Sequence, residues 1–180
     1  MKYVKLKDIL TLEQGKDAVY KDDGKYEVFG AGANSTGRCD EYNNDGNIII
    51  TRQASVGKVY WRRYQHWVQA AACIIKVGED KVFLPFLYHW LKSKEWLLTQ
   101  LKVPSMIPTL DEYKFLNLEM PLPPYLVQVH TAATIDYLDV LNLASRELIQ
   151  KQIDDFTNLK KITQNKLLTF GKDEDNENKF

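Results

Sequence analysis

Between Tyr125 and Leu168 the chain has neither glycine nor proline, the two residues that most readily interrupt a helix. Over that stretch Leu138, Leu141, Leu148, Ile149, Ile153, Phe156, Leu159 and Ile162 advance in steps that keep to one side of a helix. Ser145 and Gln152 fall within the stripe, so it is not an unbroken heptad seam. A helix of roughly 40 residues spans about 60 Å at 1.5 Å per residue, more than the width of the body that the preceding residues can build. Such a stripe requires a partner helix. Directly before it, MPLPPYLVQ (Met120 to Gln128) runs a short extended piece into three prolines, which end the preceding structure abruptly.

The residues ahead of the prolines read as a mixture of short strands and helices. Leu6, Ile9 and Leu10 mark a short helical turn, capped by Asp8 or the residues just before it, and Gly15 to Lys25 is loop-like. Tyr26 to Phe29 reads as a strand, followed by the turn region GAGANSTG. Strands are expected at Asn47 to Arg52 and Lys58 to Trp61, separated by Gly57, and at Ala70 to Val77, whose continuous apolar run suits a central strand. Pro85 sits where the first turn of a helix tolerates it, and the spacing of Leu84, Leu87, Tyr88, Leu91, Leu98 and Leu101 predicts a helix from Phe83 to about Leu101. After the loop KVPSMIP, Thr109 to Glu112 has the spacing of a capping box, and Asn117 to Leu122 returns to extended structure. The fold class is therefore α+β, a compact mixed α/β domain followed by a long C-terminal helix.

Formal charge is zero, with 24 basic against 24 acidic residues, which neither demands nor forbids a nucleic-acid partner. The last ten residues, GKDEDNENKF, carry four acids, two lysines and no apolar run, so residues 171–180 are expected to form a disordered tail. No stretch suits a signal peptide or a membrane span, and Cys39 and Cys73 lack a CxxC spacing. A cytoplasmic protein with reduced thiols is expected, with no membrane partner. Cys73, inside AAACIIKV, reads as a small buried hydrophobe.

Pro123-Pro124-Tyr125 is the tail of the Asp/Asn-Pro-Pro-Tyr motif of amino-methyltransferases, whose Asp or Asn accepts a hydrogen bond from the target amino group. Leu122 occupies that position and cannot accept one. Phe29-Gly30-Ala31-Gly32 has the look of a cofactor loop, but the following NSTGRCDEYNNDG lacks the helical period that would aim an N-terminus at a ligand. His66, His89 and His130 lie in unrelated segments without metal-ligand spacing, and His89 in FLYHWL reads as a helix-packing residue. No catalytic residue, bound cofactor or metal is assigned. The most basic stretches are Arg52-Gln53 and Trp61 to Trp67 (WRRYQHW). Arginine and glutamine can contact base edges and hold phosphates, while composition alone favours a solvated hairpin tip; both readings stand at this stage.

Taken in order, these pieces resemble a target recognition domain and its following helix from the specificity subunit of type I restriction–modification systems. The series runs from Tyr3 to about Phe170: YVKLKDIL with Gly15, YEVFGAGANSTGRCDEYNNDG, NIIITRQASVGKVYW, an aromatic-rich segment into AAACIIKV, FLPFLYHWL, PSMIPTL, MPLPPYLVQ and the long helix. Family members usually open the helix with Pro-Pro-Leu-x-Glu-Gln-x-x-Ile; here PPYLVQVHTA keeps Gln128 and has Val127 in place of the glutamate. They usually carry two recognition domains and two helices, so this chain, with one of each, resembles a half-length subunit whose missing half comes from a second copy. The resemblance implies two helices packed antiparallel as a spacer between recognition domains. Each domain would read one half of a split DNA sequence, with methyltransferase subunits docked outside. Pro-Pro-Tyr then marks a boundary, and the catalytic motif, with its S-adenosylmethionine, belongs to a partner chain.

Three segments are expected: a target recognition domain over 1–123, a coiled-coil spacer and dimerisation helix over 124–170, and the tail. The expected function is sequence-specific recognition of double-stranded DNA for a type I methyltransferase or restriction complex, without catalysis by this chain. It would act as a homodimer reading an interrupted palindrome, with methyltransferase subunits and a nuclease/translocase subunit as further partners. The alternative is a dimerisation or decoy module that occupies methyltransferase subunits without reading DNA. Candidates for the DNA surface are Arg52, Gln53, Lys58, Arg62, Arg63 and Tyr64, with Lys102, Ser105 and Thr109 from a second loop. The helical stripe is the candidate dimer face.

Overall fold

The computed structural model describes residues 2–78 and 82–166, with the backbone of the last helix traced to Glu177. In chain order, β1 (Tyr3–Lys5), a 3-10 turn (Leu6–Asp8) and β2 (Leu10–Gln14) lead to β3 (Tyr26–Phe29), β4 (Gly37–Cys39) and β5 (Asn44–Asp45). Strands β6 (Ile48–Thr51), β7 (Val59–Trp61), β8 (Gln65–Val68) and β9 (Ala72–Val77) follow. Helices α1 (Leu84–Ser93) and α2 (Glu95–Leu98), the hairpin of β10 (Lys102–Val103) and β11 (Thr109–Leu110), α3 (Glu112–Leu116), β12 (Glu119–Pro121) and α4 (Tyr125–Glu177) complete the series. The chain divides into two units, Met1–Ala133 and Thr134–Phe180. Of residues 171–180, expected as a tail, 171–177 are traced as backbone of α4 and 178–180 lie outside the described residues.

The first unit is built on two four-stranded sheets, ordered β2-β9-β6-β7 and β4-β3-β8-β5. The first is antiparallel; in the second, β3 and β8 run parallel. Its inner strands explain the apolar runs of the sequence. Successive strand residues point to opposite faces. In β6, Ile48 and Ile50 join the main core with Leu87, Leu91, Leu98 and Phe115, while Ile49 turns to the other side with Val68 and Tyr60. In β9, Cys73 and Ile75 enter the main core and Ala72 and Ile74 the second cluster. A strand covered on both faces needs apolar residues at every position, and β9 does lie between β2 and β6, as its composition predicted. Truncating Ile50 or Leu91 to alanine should cost about 2–5 kcal/mol.

Three local expectations change. Leu10 starts β2, because its backbone pairs with Val77 of β9, and Asp8 lies within the 3-10 turn without capping it. The helix expected from Phe83 to Leu101 divides at Lys94 into α1 and α2. The cap of α3 is Asp111, whose side chain accepts from the Lys114 amide at 3.0 Å, whereas Thr109 belongs to β11.

The proline segment closes the first unit. β12 pairs with β1, and the Leu122 amide donates to the Lys2 carbonyl at 2.9 Å, while the Leu122 side chain packs against the main core. Gln128, one turn into α4, is buried; its Oε1 accepts from the Phe83 amide and its Nε2 donates to the Pro123 carbonyl, each at 2.9 Å. Tyr125 meets Phe83 edge to face at 5.8 Å, and Ala132 is buried in the main core. These contacts carry the first unit to Ala133, past the boundary expected at 123/124.

Within the second unit, all eight residues of the predicted stripe are exposed, from Leu141 at 44% to Phe156 at 73%. Ser145 turns its hydroxyl back to the Leu141 carbonyl at 2.9 Å. Among the described residues no helix is long and apolar enough to cross a membrane.

Candidate functional site

The turn between β6 and β7 and the hairpin of β10 and β11 meet in one surface. Gln53 forms an isolated antiparallel bridge with Thr109, the Leu110 amide donates to the Arg52 carbonyl at 2.8 Å, and the amides of Arg52 and Gln53 both donate to the Ala71 carbonyl. Thr51 braces the turn from inside: its hydroxyl donates to the Ser55 carbonyl and accepts from the Lys58 amide at 2.8 Å. Gly57 has φ +80°, and a Cβ there would lie 2.4 Å from the Leu98 carbonyl group, so glycine lets the turn seat on the end of α2. Ala54, at φ +57°, is the one non-glycine residue with positive φ among the described residues.

This surface gathers Arg52, Gln53, Lys58, Lys102, Ser105 and Thr109, and their side chains differ in freedom. Arg52 Nε lies 3.2 Å from Glu112 Oε1, which holds the guanidinium as a strut between the turn and α3. Lys58 Nζ lies 3.6 Å from Glu95 Oε2. Burial alone would raise the pKa of Glu95, but the Val59 amide at 2.9 Å, with Lys92 and Lys58, outweighs it and holds the carboxyl below its ordinary range. The Gln53 amide and the exposed Lys102 ammonium have no polar partner among the described residues, and residues 102–108 are all exposed. Ser105 and Thr109 both donate to the Ile107 carbonyl, the latter at 3.0 Å. Sequence reasoning passed over the tip itself, where Met106 is fully exposed at 100% and Ile107 at 58%. The two prolines of PSMIP were the available signal of a shaped loop.

The remaining candidates lie past the other end of β7. Arg62 stacks on Phe29 at 3.6 Å from the ring centre, and its Nη2 donates to the Ala33 carbonyl. Burial lowers its pKa. Its guanidinium thus holds the glycine-rich 30–36 turn, and Nη1 is buried without a hydrogen-bond partner. Arg63 lies over Trp61 at 4.2 Å and is exposed. Tyr64 donates to Glu27 Oε2 at 2.9 Å; burial and this acceptor raise its pKa. Arg62, Arg63 and Tyr64 therefore form a separate group from the Gln53–Thr109 surface.

Behind that group sits a buried polar pair. His66 Nδ1 donates to the Tyr64 carbonyl at 2.7 Å, which leaves Nε2 to accept from Asn44 Nδ2 at 3.1 Å. Asn44 in turn donates to the Asn47 carbonyl and accepts from its amide. Burial lowers the His66 pKa. Cys39 and Cys73 are both free and buried, and burial pushes the Cys73 thiol up to about 11. Among the described residues no group of three or more His, Cys, Asp or Glu could hold a metal ion.

Residues 1–155 match the model of the type I restriction modification DNA specificity domain. A curated protein of Mycoplasma pneumoniae, named as a type I specificity subunit, is 31% identical over 102 residues, which cover 56% of this chain and 27% of that protein. Among solved structures, the type I restriction–modification S subunit of M. genitalium superposes with a TM-score of 0.70 at 24% identity, over 80% of this chain and 41% of the other. The HsdS subunit of Thermoanaerobacter tengcongensis gives 0.63 at 19% identity, over 79% and 38%. The chain thus spans well under half the length of the relatives it matches. At these identities the structures establish the α+β fold with its long helix, while the family model covers most of the sequence, so the chain belongs to the type I restriction–modification specificity-subunit family, with the architecture of a single target recognition domain and its C-terminal helix.

Proposed function

We propose that the chain reads one half of a split double-stranded DNA sequence through the β6–β7 turn and the β10–β11 hairpin, as the specificity component of a type I methyltransferase or restriction complex. The observation that carries this reading is the Gln53–Thr109 bridge, which joins the turn bearing the half-buried, unengaged Gln53 amide to the hairpin bearing the exposed, unengaged Lys102. Glutamine can pair bidentately with adenine in the major groove, and lysine can neutralise a phosphate. Arg52 and Lys58, tied to carboxylates, support the surface. Methyl transfer belongs to a partner subunit that binds S-adenosylmethionine, since Leu122 fills the position of the required Asp or Asn with an apolar side chain packed on the core. A nuclease/translocase subunit is a further partner of the same complex.

The active form is a homodimer. The stripe from Leu138 to Ile162 leaves large apolar side chains in water, and a two-fold axis across it would pair the stripe with itself in antiparallel register as a coiled coil. A two-fold dimer presents the same reading surface twice, on opposite strands, and so selects an interrupted palindrome. A decoy module would keep the dimer and need no base contact; the free Gln53 amide favours DNA reading. Binding of the full chain, assembled with a type I methyltransferase subunit, to duplex DNA at increasing salt tests this. Neutralising several phosphates gives a steep linear fall of log affinity with log salt; salt-independent or undetectable binding would support the decoy.

A further inference from the structure

Met106 and Ile107 present two large apolar side chains to water at the tip of the β10–β11 loop. The loop is shaped for presentation. Pro104 and Pro108 bracket it, each with a fixed φ, and the hydroxyls of Ser105 and Thr109 converge on the Ile107 carbonyl. The surroundings restrict the occupant. Lys102 stands at the base of the hairpin, the run from Lys102 to Leu110 contains no acid, and the acids that follow it are engaged, Asp111 with Lys114 and Glu112 with Arg52. A polyanion suits that charge pattern. A two-stranded ribbon fits the major groove, where the one apolar feature on the edges of the four standard bases is the C5 methyl of thymine.

We propose that the Met106–Ile107 tip is a specificity-determining apolar contact that packs on a thymine methyl in the major groove beside the base read by Gln53; this rests on the DNA-reading assignment above. The methyl removes apolar surface of Met106 and Ile107 from water and adds a second, chemically distinct contact to the hydrogen bonding of the glutamine. Methionine suits the role because its unbranched side chain adapts to the surface it meets.

The test uses the full chain assembled with a type I methyltransferase subunit, on its preferred duplex obtained by selection from a random pool. Each thymine is replaced in turn by uracil, which removes the methyl and keeps the base pairing. The wild-type complex should lose about three- to tenfold in affinity at one or two positions, the worth of one or two buried methyl groups. The double variant Met106→Ala, Ile107→Ala should bind the thymine duplex more weakly, become insensitive to uracil there, and keep its melting temperature, since both side chains are exposed. Wild-type indifference to every uracil, or unchanged sensitivity in the double variant, would overturn the inference. So would a double variant that binds DNA normally but no longer retains the methyltransferase subunit, which would make the tip a protein contact. Absence of any sequence preference in the wild-type complex would instead remove the DNA-reading assignment itself.

Discussion

Gln53 and Thr109 face each other in a single antiparallel bridge, and that pairing fuses the β6–β7 turn and the β10–β11 hairpin into one surface. Its side chains without a polar partner among the described residues include the half-buried Gln53 amide and the exposed Lys102 ammonium. Their roles separate on replacement. Gln53→Ala should relax selectivity at one base pair, with about 1–3 kcal/mol of discrimination lost there. Lys102→Ala should weaken every duplex alike and reduce the salt slope by about one. Equilibrium binding to a panel of single-base variants of the site, at two salt concentrations, distinguishes the two patterns.

The Asn44–His66 pair should make stability depend on pH. Burial lowers the His66 pKa below its ordinary value, and the unfolded chain titrates near 6.5. As pH falls past about 6.5 the unfolded chain takes up the proton before the folded one does, so unfolding is favoured. The stabilisation is complete above about 6.5 and is lost as pH drops through the lowered folded value. Thermal unfolding of the wild type should therefore fall more steeply between about pH 7 and pH 5 than that of His66→Gln, which cannot titrate there. Parallel curves for the two proteins would mean that His66 accepts its proton without opening the pair.

Gln128 secures the start of α4 by satisfying the Phe83 amide and the Pro123 carbonyl at once. Gln128→Ala leaves both groups to find other partners and should cost about 1–3 kcal/mol, measured as a shift of the urea midpoint of the first unit. Gln128→Glu keeps an acceptor for Phe83 but sets a carboxylate oxygen against the Pro123 carbonyl at a buried position, and should cost at least as much as Gln128→Ala.

The parts of the fold legible in the sequence are those where one physical rule dominates. The apolar run at Ala72–Ile75 announced a central strand, that at Ile48–Ile50 a strand, and the glycine- and proline-free stretch after Pro124 announced α4. Short strands such as β4, β5 and β8 were hidden because their side chains serve tertiary bonds as much as the pleat: Asn44 and His66 bind one another, and Trp67 Nε1 donates to the Lys16 carbonyl at 2.7 Å. The candidate site was half legible. Residue type identified Arg52 and Arg62 as cations, but only their partners, Glu112 for one and Phe29 with Ala33 for the other, reveal both as internal struts. Conversely, Met106 and Ile107 read as ordinary loop residues until their exposure was known.

Leu148 and Phe156 test the helical face. Both are exposed in the single chain, so replacing them with aspartate should barely change its folding, whereas a charge in a paired stripe has no partner and splits the dimer. Sedimentation at micromolar concentration should give a dimer for the wild type and a monomer for Leu148→Asp, Phe156→Asp, with specific DNA binding weakened in the variant. A monomeric wild type would exclude self-pairing of α4.

The central claim, that one reading surface is used twice across a two-fold axis, is tested most directly by selecting duplexes from a random pool with the chain assembled on a type I methyltransferase subunit. The expected result is an interrupted palindrome with identical half-sites and one fixed gap length. Enrichment of an asymmetric split site, or of no sequence at all, would contradict it.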